Sequence, residues 1–167
     1  MDSSQQKAVF QQILSEHKAR LYRLCRSVIY HPELTDDLFQ EVLLNIWQYL
    51  PKFRADAAIY TWLYRITINT AITFNKKESR HQGHHEAYDL NLPGPPNQIL
   101  SDDLKMLYQA IQMLKVEERT LVGLYLEGFA YKEIAEILNL TVSNVGVRIN
   151  RIKNRLTQIL NPQKQQS

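Results

Sequence analysis

Apolar residues recur at intervals of three and four along most of this 167-residue chain, the spacing of helices that bury one face. Phe10, Ile13, Leu14, His17, Leu21, Leu24, Cys25 and Val28 mark one such helix, and His31-Pro32-Glu33 interrupts it. A second pattern starts near Thr35, with Asp36 and Asp37 favourably placed in its first turn. It runs to Leu50, where Pro51 ends it. A third extends from about Ile59 to Lys77. Between Glu78 and Gln98 no period survives, and Gly83, Pro93, Gly94, Pro95 and Pro96 predict a linker that is extended near its prolines. Periodicity resumes at Ser101, whose hydroxyl is placed to cap a helix carrying Leu104, Leu107, Ile111 and Leu114. Leu121, Leu124 and Tyr125 follow on a helix that stops at Gly128. Tyr131–Leu138 and Val142–Leu160 complete the pattern. The expected architecture is all-α: two small helical domains over 1–80 and 100–162, an extended linker over 81–99, and a tail over 163–167.

The last two helices have the layout of a helix-turn-helix. Ile134, Ala135 and Leu138 form the buried face of the first, and Asn139 suits the left-handed residue that closes it. Leu140 plugs the turn and Thr141 caps the second helix. At about 100° per residue, Val145, Ile149, Ile152 and Leu156 share one side. Asn144, Arg148, Arg151 and Arg155 form a neighbouring polar stripe, while Ser143, Val147 and Asn150 point most directly away. From Thr141 to Leu160 no acidic residue occurs among Arg148, Arg151, Lys153 and Arg155. A basic helix of this kind is the footprint of duplex DNA. Asn150 and Arg151 are the candidates for base edges; Arg148, Lys153 and Arg155 suit phosphates.

The N-terminal half carries a different chemistry. Phe39, Leu43, Ile46, Trp47 and Leu50 make a stripe, and Leu38, Val42 and Tyr49 spread apolar character well round the helix. Asp37, Gln40 and Glu41 lie along its edge. A three-helix domain should leave part of so wide a face uncovered, which predicts a docking surface for a basic partner. The third helix mixes Tyr60, Trp62, Tyr64 and Phe74 with Arg65, Asn69, Lys76 and Lys77. Rings beside cations and an amide suit single-stranded DNA, although each ring taken singly is more readily core.

Composition adjusts this picture only modestly. The net charge is +3 and the pI about 8.9, a mild basic excess. Cys25 is the single cysteine, so no intrachain disulfide can form, and its helical spacing places it in a core. No apolar run approaches the ~18 residues of a membrane span and the N-terminus has no signal-like segment. The expectation is a soluble cytoplasmic protein without membrane insertion. His81, His84 and His85 cluster near Glu86, but a structural zinc site asks for four ligands on a defined scaffold; neither a metal nor a cofactor is expected.

Three stretches together carry a family resemblance: DDLFQEVLLNIW, the run F-R-x-D-x-x-x-Y-T-W-L-Y-R-I-x-x-N-T, and YKEIAEIL followed by VxxRIxRIKNRL. In this order they resemble the extracytoplasmic-function sigma factors of bacterial RNA polymerase, from about Phe10 to Leu160. The resemblance implies a region 2 helical bundle and a region 4 helix-turn-helix. Asp37, Leu38, Gln40, Glu41 and Trp47 would grip the clamp helices of the polymerase's largest subunit. Phe53, Arg54 and the loop to Tyr60 would read the minus-ten element, with Asn69 at a pocket for a flipped base. Tyr60, Trp62, Arg65, Lys76 and Lys77 would support melting and the single strand. Asn144, Val147, Arg148, Asn150, Arg151, Lys153 and Arg155 would meet the minus-thirty-five duplex, and the same domain would touch the polymerase flap. An anti-sigma factor or other recruiting protein is the further partner it implies, and the polymerase-bound protein would be associated with the nucleoid. Nothing catalytic is expected of the chain itself.

One departure stands out: Gly146 and Val147 occupy positions where the family often has a basic or hydroxyl residue. Neither donates to a base edge, so weaker or unusual upstream recognition is expected. Two other classes remain open from the residues alone. A stand-alone helix-turn-helix regulator explains Thr141–Leu160 but leaves the acid-edged helix idle. A DNA-cutting or joining enzyme would need a nucleophile or carboxylate cluster that Asp36, Asp37 and Glu41 do not complete.

Overall fold

The computed structural model describes residues 1–82 and 101–162, and among them every regular element is helical. Seven α-helices occur in this set: α1 (Ser3–Val28), α2 (Thr35–Tyr49), α3 (Ile59–Gln82), α4 (Asp102–Gln112), α5 (Val116–Leu126), α6 (Tyr131–Leu138) and α7 (Val142–Leu160), with single 3₁₀ turns at Pro32–Leu34 and Leu50–Lys52. Residues 81 and 82 of the expected linker close α3; the remainder of that linker, with His84, His85 and Glu86, and the 163–167 tail lie outside the described residues.

Local chemistry explains most ends. Asp2 Oδ1 accepts from the Gln5 N–H (2.8 Å) and Gln5 Oε1 from the Asp2 N–H (3.2 Å), a reciprocal cap that starts α1 two turns before its first periodic residue. Ser101 Oγ accepts from the Leu104 N–H and Thr141 Oγ1 from the Asn144 N–H, as their positions predict. Glu118 and Glu133 each reach back to the N–H three residues earlier, at Lys115 and Ala130. Gly128 has φ +85° and Asn139 φ +55°, so α5 and α6 both stop where the chain turns left-handed.

The longer α1 changes the balance of apolar surface. α2 does not present the wide uncovered face expected of it: Leu38, Phe39, Val42, Ile46 and Leu50 are all buried. Phe10 meets the Trp47 ring edge-on at 5.2 Å, and Gln6 Nε2 donates to the Trp47 carbonyl. What remains outside is Leu44, 59% exposed, and Tyr49, 49% exposed. In the C-terminal half the rotation of α7 is as predicted, with Val145, Ile149, Ile152 and Leu156 buried, whereas Leu104 leaves its expected stripe and stands exposed on α4.

The helices of the two halves also pack on one another. α1 lies between α2 and α3 on one side and α5 on the other, and α3 touches α6. At the α1–α5 crossing stands Gly123, where a Cβ would come within 3.0 Å of Leu24 Cδ1 and 3.1 Å of Ser27 Cβ; only the smallest residue lets the helices approach this closely. Around it, Arg23 forms a bidentate pair with Glu127 (2.7 and 2.8 Å), Arg20 donates to the Glu127 carbonyl, and Phe129 sits against Arg20 and edge-on to Tyr64. Arg119, almost fully buried, donates to the carbonyls of Leu114, Gln112 and Ile29 and stacks on Tyr30. Asn75 of α3 closes the end of α1, accepting from the Tyr30 N–H and donating to the Val28 carbonyl at 3.0 Å each. Buried backbone groups past a helix end need such partners.

Candidate nucleic-acid interface

Two surfaces carry the expected chemistry, and the first lies between α2 and α3. A groove of ≈ 290 Å³ is lined by Glu41, Asn45, Tyr49, Ile66, Asn69, Thr70 and Thr73. Helical spacing puts these residues on facing sides: Glu41, Asn45 and Tyr49 descend α2 at four-residue steps, and Ile66, Asn69, Thr70 and Thr73 share one face of α3 at spacings of three and four. Asn45 Nδ2 donates to Thr70 Oγ1 at 2.9 Å and fixes the floor, while Lys77 Nζ stands 3.7 Å from Glu41 Oε1 at the rim. The Asn69 amide is exposed at this groove. An amide, a carboxylate and a phenol ring around an open slot can meet both the polar edge and the flat face of a base.

Next to it the aromatic run divides into two roles. Tyr64 and Phe74 are core, as is Thr61, and burial pushes the Tyr64 hydroxyl up to about 12. Trp62 and Phe53 are only partly buried and face each other at 5.1 Å, with Arg54 exposed on the loop between α2 and α3. Tyr60 is also partly buried and lies 6.1 Å from Phe129. Lys76 and Lys77 are exposed near the end of α3. Arg65 is engaged elsewhere: its guanidinium donates to the carbonyls of Glu136 and Ile137, the unpaired C-terminal end of α6.

The docking candidates on α2 separate in the same way. Asp37 and Gln40 are exposed and Glu41 partly so. Leu38 is fully buried and so is corrected from contact residue to core. Trp47 is half-buried against Phe10 and supports the helix from inside. Asp36 accepts from the Tyr22 hydroxyl at 2.7 Å, and burial with this bond takes that hydroxyl up to about 12.

The second surface is the outer face of α7. Asn144, Val147, Arg148, Asn150 and Arg151 are exposed together, with Val147 51% exposed. Lys153 and Arg155, read from the sequence as phosphate contacts, turn back to the domain: Lys153 Nζ lies 4.4 Å from the Tyr125 ring centre, and Arg155 pairs with Glu118 at 3.2 Å. Gly146 faces the Tyr131 ring, where a Cβ would meet carbon at 3.6 Å, an ordinary contact. The Cys25 thiol is buried and pushed up by desolvation, as its core reading requires.

Sequence reasoning missed Glu127, Phe129, Arg119, Asn75 and Gly123. The polar pattern of α5 marks Arg119 only as one more charge, and nothing local says that a helix will lie across Gly123. No cluster of three or more metal-ligating side chains occurs among the described residues, and no helix among them is long and apolar enough to cross a membrane.

Comparison with known proteins agrees with this layout. Sigma-70 region 2 matches residues 13–81 and sigma-70 region 4 matches residues 104–156. The ECF RNA polymerase sigma-E factor of Haemophilus influenzae is 28% identical, the match covering 93% of this chain and 89% of the relative. The RNA polymerase sigma-H factor of Pseudomonas aeruginosa is also 28% identical, over 93% and 88%. Among solved structures, the sigma factor RpoE of Bartonella quintana, crystallised with the anti-sigma factor NepR, superposes with a TM-score of 0.77 at 25% identity over 91% of this chain and 96% of that one. The fold of CnrH, solved with the cytosolic domain of CnrY, is likewise similar, with a TM-score of 0.69. The acid-edged α2, the aromatic α3 and the basic second helix of a helix-turn-helix thus stand on a chain that belongs to the sigma-70 family, in its extracytoplasmic-function branch, as a sigma factor for promoter-specific transcription initiation by RNA polymerase.

Proposed function

We propose that α2 is the polymerase handle and that two separate surfaces read DNA, the α2–α3 groove an unstacked base of the minus-ten element and α7 the minus-thirty-five duplex. The groove beside Asn69 supports this reading, because an open slot of ≈ 290 Å³ runs between α3 and the helix proposed to dock. Asp37 and Gln40 meet the clamp helices and exposed Leu44 supplies the apolar contact in place of Leu38, while Glu41 stands at the edge that the docking face shares with the groove and Tyr49 belongs to the groove. Phe53, Arg54, Tyr60, Trp62, Lys76 and Lys77 line the path of the single strand. Arg65 joins them once it leaves the end of α6. At α7, Arg148 and Arg151 hold phosphate or base edges, while Lys153 and Arg155 reach phosphate only by leaving Tyr125 and Glu118.

Magnitudes favour a trap over a lever. Each opened DNA step costs about 1.4 kcal/mol, more in sum than one small protein supplies by charge. Holding a base already out of the stack needs only the slot and its amide. Strand synthesis belongs to the polymerase, and the chain itself performs no covalent step. Residues 1–80 and 100–162 act as the two domains, in the cytoplasm and at the nucleoid when bound to polymerase.

The two elements bear names roughly 25 base pairs apart, which is about 85 Å of duplex. A compact chain of this length has a radius of gyration of about 15 Å. Both elements are therefore engaged together only after the α1–α5 and α3–α6 contacts part. A protein of the anti-sigma kind, as in the Bartonella quintana complex, would act by keeping them together.

Run-off transcription with core polymerase on a randomised promoter library tests the reading. Wild-type protein should direct specific starts. Asp37→Ala with Leu44→Ala should lose core binding with unchanged helicity, and Asn69→Ala should retain core binding but lose promoter opening. Failure to bind core polymerase even at low salt would end the proposal.

A further inference from the structure

The exposed Val147 has no role in holding its own domain together. α7 is locked in rotation by four buried residues, Val145, Ile149, Ile152 and Leu156, and Val147 projects from the opposite side into solvent. A β-branched residue costs an exposed helix a few tenths of a kcal/mol against alanine, and here no intramolecular packing offsets it. Its surroundings are equally selective. Arg148 and Arg151 lie together along one side of the outward line of Ser143, Val147 and Asn150, while Lys153 and Arg155 are drawn back to Tyr125 and Glu118. The centre of the outer face is therefore short and uncharged, one stiff apolar side chain and one amide beside a stripe of two cations.

We propose that Val147 and Asn150 determine the base identity of the upstream element, Val147 by packing on a thymine methyl and Asn150 by pairing with the edge of an adjoining adenine. The inference rests on the reading of α7 as the duplex-binding helix. Thymine is the base that offers a methyl group in the major groove, and an aliphatic side chain selects it without any donor. An asparagine amide matches the donor and acceptor of adenine in a bidentate pair. Three residues of helix rise are about 4.5 Å, close to the ~3.4 Å rise of one base pair, so the two side chains reach neighbouring pairs. The missing donor at position 147 thus changes what is read and does not weaken the reading. The stiff χ1 of valine fixes where the methyl must lie.

The test uses holoenzyme reconstituted with core polymerase. Selection on duplexes randomised in the upstream element yields the preferred site, and each thymine in it is then replaced singly by deoxyuridine, which removes only the methyl. One substitution should weaken binding about fourfold, the worth of one buried methyl-sized group. Val147→Ala should abolish sensitivity at that position and at no other. Asn150→Ala should relax the adenine preference next to it by about tenfold. If no thymine responds to loss of its methyl, or the response survives in Val147→Ala, the proposal falls alone. If selection yields no upstream preference and Arg151→Ala leaves binding unchanged, the reading of α7 falls with it.

Discussion

Replacing two helical glycines by alanine should move stability in opposite directions, and the signs report whether the halves of the molecule pack together in solution. In a helix interior exposed to water, Gly→Ala gains about 1 kcal/mol from reduced backbone entropy in the unfolded chain. At Gly146 nothing opposes that gain, since the added methyl meets the Tyr131 ring at 3.6 Å. At Gly123 the methyl would lie 3.0 Å from Leu24 Cδ1 and 3.1 Å from Ser27 Cβ. Leu24 is fully buried, and a Cβ is fixed to its backbone, so α1 itself must shift. Overpacking of this kind costs about 1–3 kcal/mol, which cancels or exceeds the gain and leaves Gly123→Ala between neutral and about 2 kcal/mol destabilised. At about 2–4 °C per kcal/mol for a chain of this size, thermal unfolding followed by circular dichroism separates the two outcomes. Gly146→Ala should raise Tm by a few degrees and Gly123→Ala should leave it level or lower it. If Gly123→Ala stabilises as much as Gly146→Ala, α5 faces water rather than α1, and the packed arrangement is refuted.

Three further outcomes follow from single side chains. Asn75→Ala removes the partners of the Tyr30 N–H and the Val28 carbonyl and should cost about 2–4 kcal/mol in urea unfolding; a change below half a kcal/mol would mean that these groups find water instead. Arg23→Ala leaves the Glu127 carboxylate, whose side chain is only 9% exposed, with Arg20 at 4.0 Å. It should cost about 1–2 kcal/mol, since Arg23 itself is partly solvated, and a strictly additive double variant with Glu127→Gln would deny the coupling. Desolvation holds His17 below its ordinary value of 6.5, only partly countered by Glu16. The unfolded chain therefore takes up this proton first, so stability is complete above about pH 6.5 and drains as pH falls toward the folded value. His17→Gln should flatten that slope relative to the wild type, and parallel curves would rule His17 out as its source.

The helices, their ends and the two polar surfaces proposed to meet DNA were largely legible along the chain as patterns, because each depends on groups within one or two turns of one another. Ser101, Thr141, Gly128 and Asn139 act on their own neighbours, and the buried line of α7 follows from its period. The start of α1 shows the limit of periodicity: its first two turns rest on the Asp2–Gln5 cap, and their faces are too polar to announce a helix. The width of the apolar face on α2 was equally visible, but its destination was not. Whether Leu38 meets a polymerase or a neighbouring helix depends on how far α1 and α3 wrap around it.

The same reason separates Arg65, Arg155 and Lys153 from Arg148 and Arg151. All five read as exposed cations in sequence, yet the first three find partners 28 to 72 positions away. Charge and spacing specify what a side chain can bind. Which binding it satisfies within the folded chain, and which it leaves open to solvent, is set by contacts between residues remote in sequence, such as Arg23 with Glu127 and Gly123 with Ser27. Those contacts have no local signature, since they arise only when two separately formed helices come to rest against each other.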